Sequence, residues 1–304
     1  MTQPASIAIE APAKINLFLH ILGQREDGYH RIQSLFCLID WCDKLHIATN
    51  RSGQITRVGD YDWPIEADLP VRAAQVLRAK AIAMGRLSNE AGCAIAIDKQ
   101  IPVGAGLGGG SSDAASTLMA LNDLWGLELD AASLAQIGLS IGADIPFFIH
   151  GESALVEGIG EQMKSLAHAS RWFVLAVPSV HVPTAQVYRD EQLSRDTPEI
   201  RSSLLLRECQ SDTWTWGHND LQPVACRLYP AIARYVSLLK MAAQFFGIPP
   251  EAVRMSGSGG SVFCSCANRA IADQLLDALN RADPGGLHRV CESPTRHPGS
   301  VEVR

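Results

Sequence analysis

The segment Pro102-Val-Gly-Ala-Gly-Leu-Gly-Gly-Gly-Ser-Ser-Asp113 contains five glycines within seven residues, followed by two hydroxyls and a carboxylate. Because glycine has no Cβ, the backbone there can adopt positive φ and turn several N–H groups toward one ligand. Residues 114–121 have helical apolar spacing, and Ser111 or Ser112 is a suitable N-cap for that helix. Convergent amides that lead into a helix N-terminus are typical of a phosphate site. A flexible linker fits poorly, because an apolar strand-like run at 93–97 precedes the segment.

The glycine pattern by itself does not identify the class of phosphate-binding protein. The string Gly104-Ala-Gly-Leu-Gly-Gly109 satisfies G-x-G-x-x-G, but a dinucleotide-binding domain also needs an acid after a second strand, about 20 residues later. The acid near that distance, Glu128, lies in a predicted turn between two helices. A P-loop NTPase site is excluded here, because no Gly-Lys-Ser/Thr closes the loop.

Length and composition indicate a globular protein with one large or two ordinary domains. The chain has 304 residues, of which 47% are apolar and 19% charged. A net charge of −6 argues against a general nucleic-acid or membrane-surface binder, so attraction for an anionic ligand must be local.

The apolar runs, the N-terminal pattern and the cysteines together predict a cytoplasmic location. No apolar run approaches 18 residues, and the N-terminus lacks a basic-then-apolar signal pattern. Eight cysteines are scattered without a C-x-x-C pair. We expect them to be mostly small buried side chains in a reducing compartment, without a zinc site or disulfide framework.

A lysine and an asparagine share one face of the predicted strand at 11–20. Apolar residues alternate there with polar ones, so period two places Lys14 and Asn16 on the same side. Lys14 is either a functional cation or an edge residue whose amine reaches solvent.

A turn at 23–30 contains the pair Asp27-Gly28 and presents Tyr29 and His30 side by side. An aromatic ring next to an imidazole could recognise a flat base. The alternative places Tyr29 in the core and His30 on the surface.

Other strands are expected at 7–10, 35–39, 44–48, 54–58, 92–98 and 172–177, and a strand followed by a glycine turn is expected at 154–161. Helices are expected at 67–84, 130–141 and 230–246, and the pattern of residues 252–291 predicts a β-turn-β-α-β end.

Lys99, just before the glycine segment, either touches a nucleotide or is solvated. Asp144, between a helix stop and Pro146-Phe-Phe148, is either a helix cap or a catalytic carboxylate.

Two features of the second half have open interpretations. Thr184 and Tyr188 lie four residues apart on one face of a predicted helix start. The second glycine run, Ser256-Gly-Ser-Gly-Gly-Ser261, forms either a tight hairpin only or a turn that also faces the first glycine segment across a cleft.

Together these motifs resemble the GHMP kinases, the superfamily of galactokinase, homoserine kinase and mevalonate kinase. The blocks that carry the resemblance appear in the family's order and span nearly the whole chain. They are Pro12-Ala-Lys-Ile-Asn-Leu17, Asp27-Gly-Tyr-His30, Pro102 to Asp113, Gly142-Ala-Asp-Ile-Pro146 and Met255-Ser-Gly-Ser-Gly-Gly260, with weaker support from Pro183-Thr184 and Asn219-Asp-Leu221. Within the superfamily, the Asp-Gly-Tyr-His block resembles the 4-diphosphocytidyl-2-C-methyl-D-erythritol kinases.

The resemblance implies an α/β (α+β) fold of two domains, 1–165 and 166–304, with the active site in the interdomain cleft. It implies ATP and Mg²⁺ as cofactors and a cytidyl diphospho-sugar alcohol as the small-molecule substrate, with no nucleic acid or membrane partner and with homodimerisation left open. The implied catalytic pair is Lys14 and Asp144, and no metal ligand is assigned. The implied nucleotide-binding residues are Lys99, Pro102, Val103, Gly104, Ala105, Gly106, Leu107, Gly108, Gly109, Gly110, Ser111 and Ser112. The implied substrate-binding residues are Asn16, Tyr29, His30, Ile159, Thr184, Tyr188, Gly257 and Gly259, with the two tyrosines sandwiching the cytosine ring.

Two positions depart from the family pattern. Asp68 replaces a frequent asparagine, which leaves an adenine contact from that position open. Tyr188 replaces a common phenylalanine and keeps the stacking surface. Three alternative functions remain open. The first is another GHMP small-molecule kinase of homoserine or mevalonate type, and the second is a nucleotide-binding protein without kinase activity. The least favoured is a dinucleotide oxidoreductase.

Overall fold

The computed structural model describes residues 5–166, 170–201, 204–205, 208–211, 213–294 and 296–298. Residues 5–166 form strands and helices in the order β1 (Ser6–Gln24), β2 (His30–Asn50), β3 (Ile55–Val58), α1 (Leu69–Ala83), β4 (Gly92–Asp98), α2 (Gly109–Leu124), α3 (Ala131–Leu139), α4 (Ile145–His150), β5 (Ala154–Glu157) and β6 (Gln162–Ser165).

The first sheet is built around the long antiparallel pair of β1 and β2. Its strand order is β3-β4-β2-β5-β6, and β1 pairs with β2 along nearly its whole length. Only the β3–β4 pairing is parallel among these strands. Helices α1 and α2 cover this sheet, and the core between them includes Leu38, Ile95, Leu118 and Phe148.

The second part of the chain forms a second antiparallel sheet. Its elements are β7 (Trp172–Val177), α5 (Thr184–Tyr188), α6 (Gln222–Leu228), α7 (Pro230–Gln244), β8 (Val253–Met255), β9 (Val262–Cys266), α8 (Arg269–Ala282) and β10 (Leu287–Glu292). The strand order is β10-β7-β9-β8. Helices α7 and α8 pack on this sheet through residues that include Leu239 and Leu275.

The middle of β1 is buried on both of its faces. Ala11 packs in the core under α2, whereas Ile15 and Leu17 pack with Phe173 and Phe263 of the second sheet. The predicted strand with one polar face is therefore enclosed, because α2 packs against one part of it and the second sheet against another. The predicted boundary between residues 165 and 166 falls directly after β6 and stays a prediction.

Most predicted elements are confirmed, and the strands at 92–98 and 172–177 have their predicted bounds. The predicted strands at 7–10 and 11–20 are one strand, and those at 35–39 and 44–48 are another. They fuse because a register shift between Pro12 and Ala13 lets pairing continue across residues 40–43 of β2. Six of the eight cysteines are buried, as expected. None of the helices in the described part of the chain is both long and apolar enough to cross a membrane.

Candidate active site

The predicted site residues gather around two cavities that meet at the first glycine segment. The larger cavity, of about 730 Å³, is lined by the predicted residues Lys14, Asn16, Tyr29, His30, Gly106, Gly108, Asp144, Ile159, Thr184, Tyr188 and Gly257. The smaller cavity, of about 400 Å³, is lined by Lys99, by residues 102–111 and by Asp113. Gly106 and Gly108 line both cavities. The remaining predicted site residues, Ser112 and Gly259, are described residues that line neither.

Alternate glycines give the first segment its shape. Gly104, Gly106 and Gly108 have φ of +72°, +75° and +74°, which side chains with a Cβ rarely adopt. The helix α2 then begins at Gly109 with Gly108 as N-cap and without a capping side chain, so the predicted serine cap is wrong. Because the first N–H groups of a helix have no intrahelical acceptor, this uncapped end is open to an anion.

The second glycine run contacts the first directly. The backbone N–H and the hydroxyl of Ser261 both donate to the carbonyl of Ala105, at 3.1 and 2.7 Å. The same run is also the hairpin between β8 and β9. The hairpin-only interpretation is therefore wrong, because the run also contacts the first glycine segment. The side chain of Asn219 steadies this hairpin, because its amide donates to the carbonyls of Met255 and Gly257 at 2.8 Å each.

Lys14 lies at the junction of the two cavities and is 4% exposed, so it is not an edge lysine with a solvated amine. Its Nζ donates to Asn16 Oδ1 at 2.7 Å and lies 3.5 Å from Asp144 Oδ2. It also lies 4.4 Å from the centre of the Phe36 ring, a cation–π contact. The backbone N–H of Lys14 donates to the carbonyl of Leu107 at 2.9 Å, which ties β1 to the glycine segment.

Asp144 precedes α4 at the N-cap position, but its carboxylate makes no capping hydrogen bond. The cap interpretation is therefore wrong for this side chain. The residues that follow, 145–149, are all buried and hold its backbone in place. The carboxylate is 37% exposed and faces Lys14, so it is accessible to a ligand in the larger cavity.

Aromatic side chains line the far end of the larger cavity. Tyr29 is 61% exposed, so its placement in the core is wrong. The rings of His30 and Tyr188 lie 5.3 Å apart and are inclined at 46°. Burial, and to a smaller extent the Asp144 carboxylate, raise the pKa of Tyr188, so its hydroxyl stays protonated at neutral pH. A flat ring could lie between such surfaces.

The smaller cavity has a polar wall built around Asp68. Asp68 caps α1 by accepting from Val71 N at 3.3 Å, and it also accepts from Arg57 and from the Trp63 indole, each at 3.1 Å. Both oxygens of its carboxylate therefore already accept hydrogen bonds from groups of the protein. Trp63, which had no predicted role, lines the cavity beside it.

A buried charge cluster underlies the glycine segment. Lys99 Nζ bridges the carboxylates of Asp43 and Asp113, the latter at 2.7 Å, so this amine is not simply solvated. Burial alone would lower the pKa of Lys99, but the two carboxylates outweigh it and raise that pKa. Burial raises the pKa of Asp113, the Lys99 amine opposes the rise and Asp43 adds to it.

Asp43 holds the chain where it enters the glycine segment. It is fully buried, and its Oδ1 accepts from the backbone N–H groups of Gln100 and Ile101 at 2.6 and 2.8 Å. No motif marked this residue. The only available signal was an acid in the middle of an apolar strand, which does not reveal its partners.

We expect Asp43→Asn to lower the free energy of unfolding by about 2–4 kcal/mol, because an amide cannot accept from Lys99 while also accepting both backbone N–H groups. We also expect ATP affinity to fall, since residues 99–101 lead into the glycine segment. Urea unfolding and calorimetric titration with ATP measure these effects. Asp98→Asn, at an exposed carboxylate one residue from Lys99, is the control and should change stability by less than about 0.5 kcal/mol. Equal effects of the two variants would contradict this role for Asp43.

Comparison with known proteins places this geometry in a family. The GHMP kinases N terminal domain model matches residues 68–152, and the GHMP kinases C terminal model matches residues 202–285. The chain is 44% identical over 293 residues to a 4-diphosphocytidyl-2-C-methyl-D-erythritol kinase of Burkholderia pseudomallei (strain 668), covering 95% of this chain and 94% of that protein. It is 45% identical over 289 residues to the kinase of the same name from Cupriavidus necator, covering 95% and 93%.

Solved structures agree with the sequence relatives. A crystal structure of 4-(cytidine 5'-diphospho)-2C-methyl-D-erythritol kinase matches with a TM-score of 0.77 and 32% identity, covering 95% of this chain and all of that one. A homoserine kinase from Cytophaga hutchinsonii matches with a TM-score of 0.69 but only 18% identity, which shows the fold alone. The two-domain GHMP fold is therefore confirmed, and the chain belongs to the 4-diphosphocytidyl-2-C-methyl-D-erythritol kinase family of small-molecule kinases.

Proposed function

We propose that the protein transfers the γ-phosphoryl group of ATP to the 2-hydroxyl of 4-diphosphocytidyl-2-C-methyl-D-erythritol, in the non-mevalonate isoprenoid pathway. The observation that carries the proposal is the meeting of two cavities at Gly106 and Gly108, with Lys14 beside Gly108 and Asp144 facing Lys14 in the larger cavity. The smaller cavity suits a nucleotide, and the larger one suits a substrate with a flat base at its far end. The predicted cytoplasmic location fits this function and remains part of the proposal.

ATP would bind with its triphosphate against the glycine segment. The positive φ values of Gly104, Gly106 and Gly108 let the backbone approach the phosphates closely, and the uncapped N-terminus of α2 favours negative charge. The adenine would lie in the outer part of the same cavity, beside Trp63 and residues 67–70.

Mg²⁺ fits this site as an ion that arrives with ATP. Within the described residues, no group of three or more His, Cys, Asp or Glu side chains could hold a metal ion by itself. The Ser112 hydroxyl in the first turn of α2 is buried and has no hydrogen-bond partner in the described structure. Ser112 lines neither cavity but lies between Ser111 and Asp113, which line the smaller one. A partnerless oxygen at this position suits Mg²⁺, which prefers oxygen ligands and keeps phosphates and waters in its shell. When bound, the ion would neutralise charge on the β- and γ-phosphates.

The acceptor substrate would bind with its cytosine between Tyr29 and Tyr188 and with its alcohol at Lys14 and Asp144. His30 would bond the edge of the base, and Asn16, Ile159, Thr184 and Gly257 would line the same cavity. The hydroxyls of Thr184 and Ser258, 2.8 Å apart, join α5 to the second glycine run and so connect the wall of the base pocket to the phosphate end.

The chemical step needs positioning and charge stabilisation more than covalent participation. Asp144 would accept the proton of the 2-hydroxyl as its oxygen attacks the γ-phosphorus, and ADP would leave with the bridging oxygen. Lys14, held by Asn16, would place its positive charge on the transferring phosphoryl group. Enclosure of Lys14 strengthens that interaction, because little water competes for it.

The substrate assignment can be tested by comparing 4-diphosphocytidyl-2-C-methyl-D-erythritol with the same sugar phosphate lacking the cytidyl group. We expect the wild type to prefer the cytidyl compound strongly. Tyr29→Ala should lower kcat/KM for that compound roughly 10- to 100-fold, since stacking of a base on an aromatic ring contributes about 1–3 kcal/mol. Activity toward the uncytidylated compound should not change.

Phe245→Ala is the matched control, because it removes an aromatic side chain that is 86% exposed beyond the end of α7. It should leave the preference intact. Equal turnover of both substrates by the wild type would rule out the assignment and favour another small-molecule acceptor.

A further inference from the structure

An arginine outside the family motifs contacts the base pocket. Arg195 lines the larger cavity, and its Nε donates to His30 Nε2 at 3.1 Å. Its other N–H groups donate to three backbone carbonyls, those of Leu193 at 3.0 Å, Asp190 at 2.8 Å and Tyr188 at 3.4 Å. These bonds fix the plane of the guanidinium, so the direction of the Nε–H toward His30 is determined by the backbone of 188–193.

This contact determines which nitrogen of His30 carries the proton. A guanidinium can only donate, so Nε2 must present a lone pair. A neutral imidazole has one donor and one acceptor, and the proton is therefore on Nδ1. Burial and the Arg195 charge lower the pKa of His30, which agrees with a neutral ring at pH 7. Among the described residues, Nδ1 has no hydrogen-bond partner, so its N–H is available to a ligand in the cavity.

A fixed donor at this point distinguishes two pyrimidines. At position 3 of the ring, cytosine has a lone pair, whereas uracil has an N–H. A His30 Nδ1–H would therefore pair with cytosine and oppose the N–H of uracil. Sites that present a fixed donor or acceptor discriminate strongly against a ligand that cannot match it, because polar groups are left unpaired.

We propose that Arg195 is a positioning residue that fixes His30 as the Nδ1–H tautomer and thereby makes the base pocket selective for cytosine over uracil. This inference rests on the proposed function, because it assigns the larger cavity to a pyrimidine. It adds a residue 165 positions from His30 in sequence, outside every motif noted above.

The tautomer can be measured without substrate. In ¹⁵N-labelled wild-type protein at pH 7.5, we expect His30 Nε2 to show the shift of an unprotonated ring nitrogen and Nδ1 that of a protonated one. The chain has nine histidines, so a His30→Asn spectrum identifies the signals. In Arg195→Met, which keeps an unbranched aliphatic stem but has no donor, the two tautomers should mix. A protonated Nε2 in the wild type would overturn the proposal.

Selectivity is the second readout. We expect wild-type kcat/KM to favour the cytidine diphosphate substrate over its uridine diphosphate analogue by at least about 100-fold. Arg195→Met should bring that ratio to within about tenfold, and Arg195→Lys, which can still donate, should keep most of it. Arg189→Gln removes another positive charge that lines the cavity but has no hydrogen bond to His30 in the structure, and it should preserve the ratio.

The outcomes separate a specific role from a structural one. If Arg195→Met lowers kcat/KM equally for the cytidine and uridine diphosphate compounds, Arg195 only stabilises the conformation of residues 188–193. That result would overturn the proposal. If the wild type phosphorylates neither pyrimidine compound but accepts another alcohol, the proposed function fails, and the selectivity claim fails with it. The nitrogen shifts still decide the tautomer claim in that case. If Arg195→Met does not fold, the wild-type shifts and the Arg195→Lys ratio decide the matter.

Discussion

Asp144→Asn is expected to lower kcat by about 10³-fold, within the range that loss of a general base causes, while ATP still binds. The carboxylate caps no helix and faces Lys14 at 3.5 Å, so its replacement removes a proton acceptor without removing a structural hydrogen bond. An asparagine has nearly the same shape but cannot take the proton of the acceptor hydroxyl. The loss should therefore appear in kcat rather than in the affinity for either substrate.

A coupled assay for ADP formation measures kcat, and calorimetric titration measures ATP binding. Asp123→Asn, at an exposed acid of α2, changes the net charge equally and should retain full activity. If Asp144→Asn keeps more than about a tenth of wild-type kcat, Asp144 orients the hydroxyl rather than accepting its proton. If the wild type binds ATP but phosphorylates no alcohol, the chain is a nucleotide-binding protein and not a kinase.

Gly106→Ala is expected to lower the free energy of unfolding by about 2–4 kcal/mol and to abolish ATP binding. Gly106 has φ of +75°, and a Cβ there would lie 2.4 Å from the carbonyl oxygen of Gly259. That oxygen belongs to the backbone of the second glycine run, so it cannot rotate away as a side chain could. Relief of the clash requires the two glycine runs to separate, which would widen the junction of the two cavities.

Gly85→Ala is a matched control for the backbone conformation alone. Gly85 has φ of +69°, close to that of Gly106, but no atom lies within 4 Å of a Cβ placed there. It should cost about 1 kcal/mol, which is the usual price of a side chain at positive φ. Chemical denaturation of both variants, with and without ATP, separates the two contributions. Similar losses in both would contradict the close packing of the two glycine runs.

The sequence alone was enough for the parts of the site that depend on local structure. Five glycines before a helical pattern predict a phosphate loop because only glycine adopts positive φ freely. Period two in β1 predicts that Lys14 and Asn16 face the same way, and the structure places their side chains 2.7 Å apart. The strands at 92–98 and 172–177 were also predictable from their apolar patterns and the turn signals beside them.

The same local rules failed where the tertiary structure removed their basis. Ser111 and Ser112 fit an N-cap by residue type, but α2 begins at Gly109, with its first N–H groups left without a capping side chain. Asp144 likewise fits a cap but makes no capping bond. In both places a stabilising cap is absent beside the cavities, which agrees with a site that binds a ligand there.

The glycine loop, the shared face of Lys14 and Asn16 and the family can all be predicted from residue order, because each depends on neighbouring residues or on motifs read along the chain. The contact of Asp43 with Lys99, 56 residues away, and that of Arg195 with His30, 165 residues away, are visible only in the folded chain. Such pairs leave no local pattern, since a buried charge or a directed N–H finds its partner only after distant strands and loops have packed together.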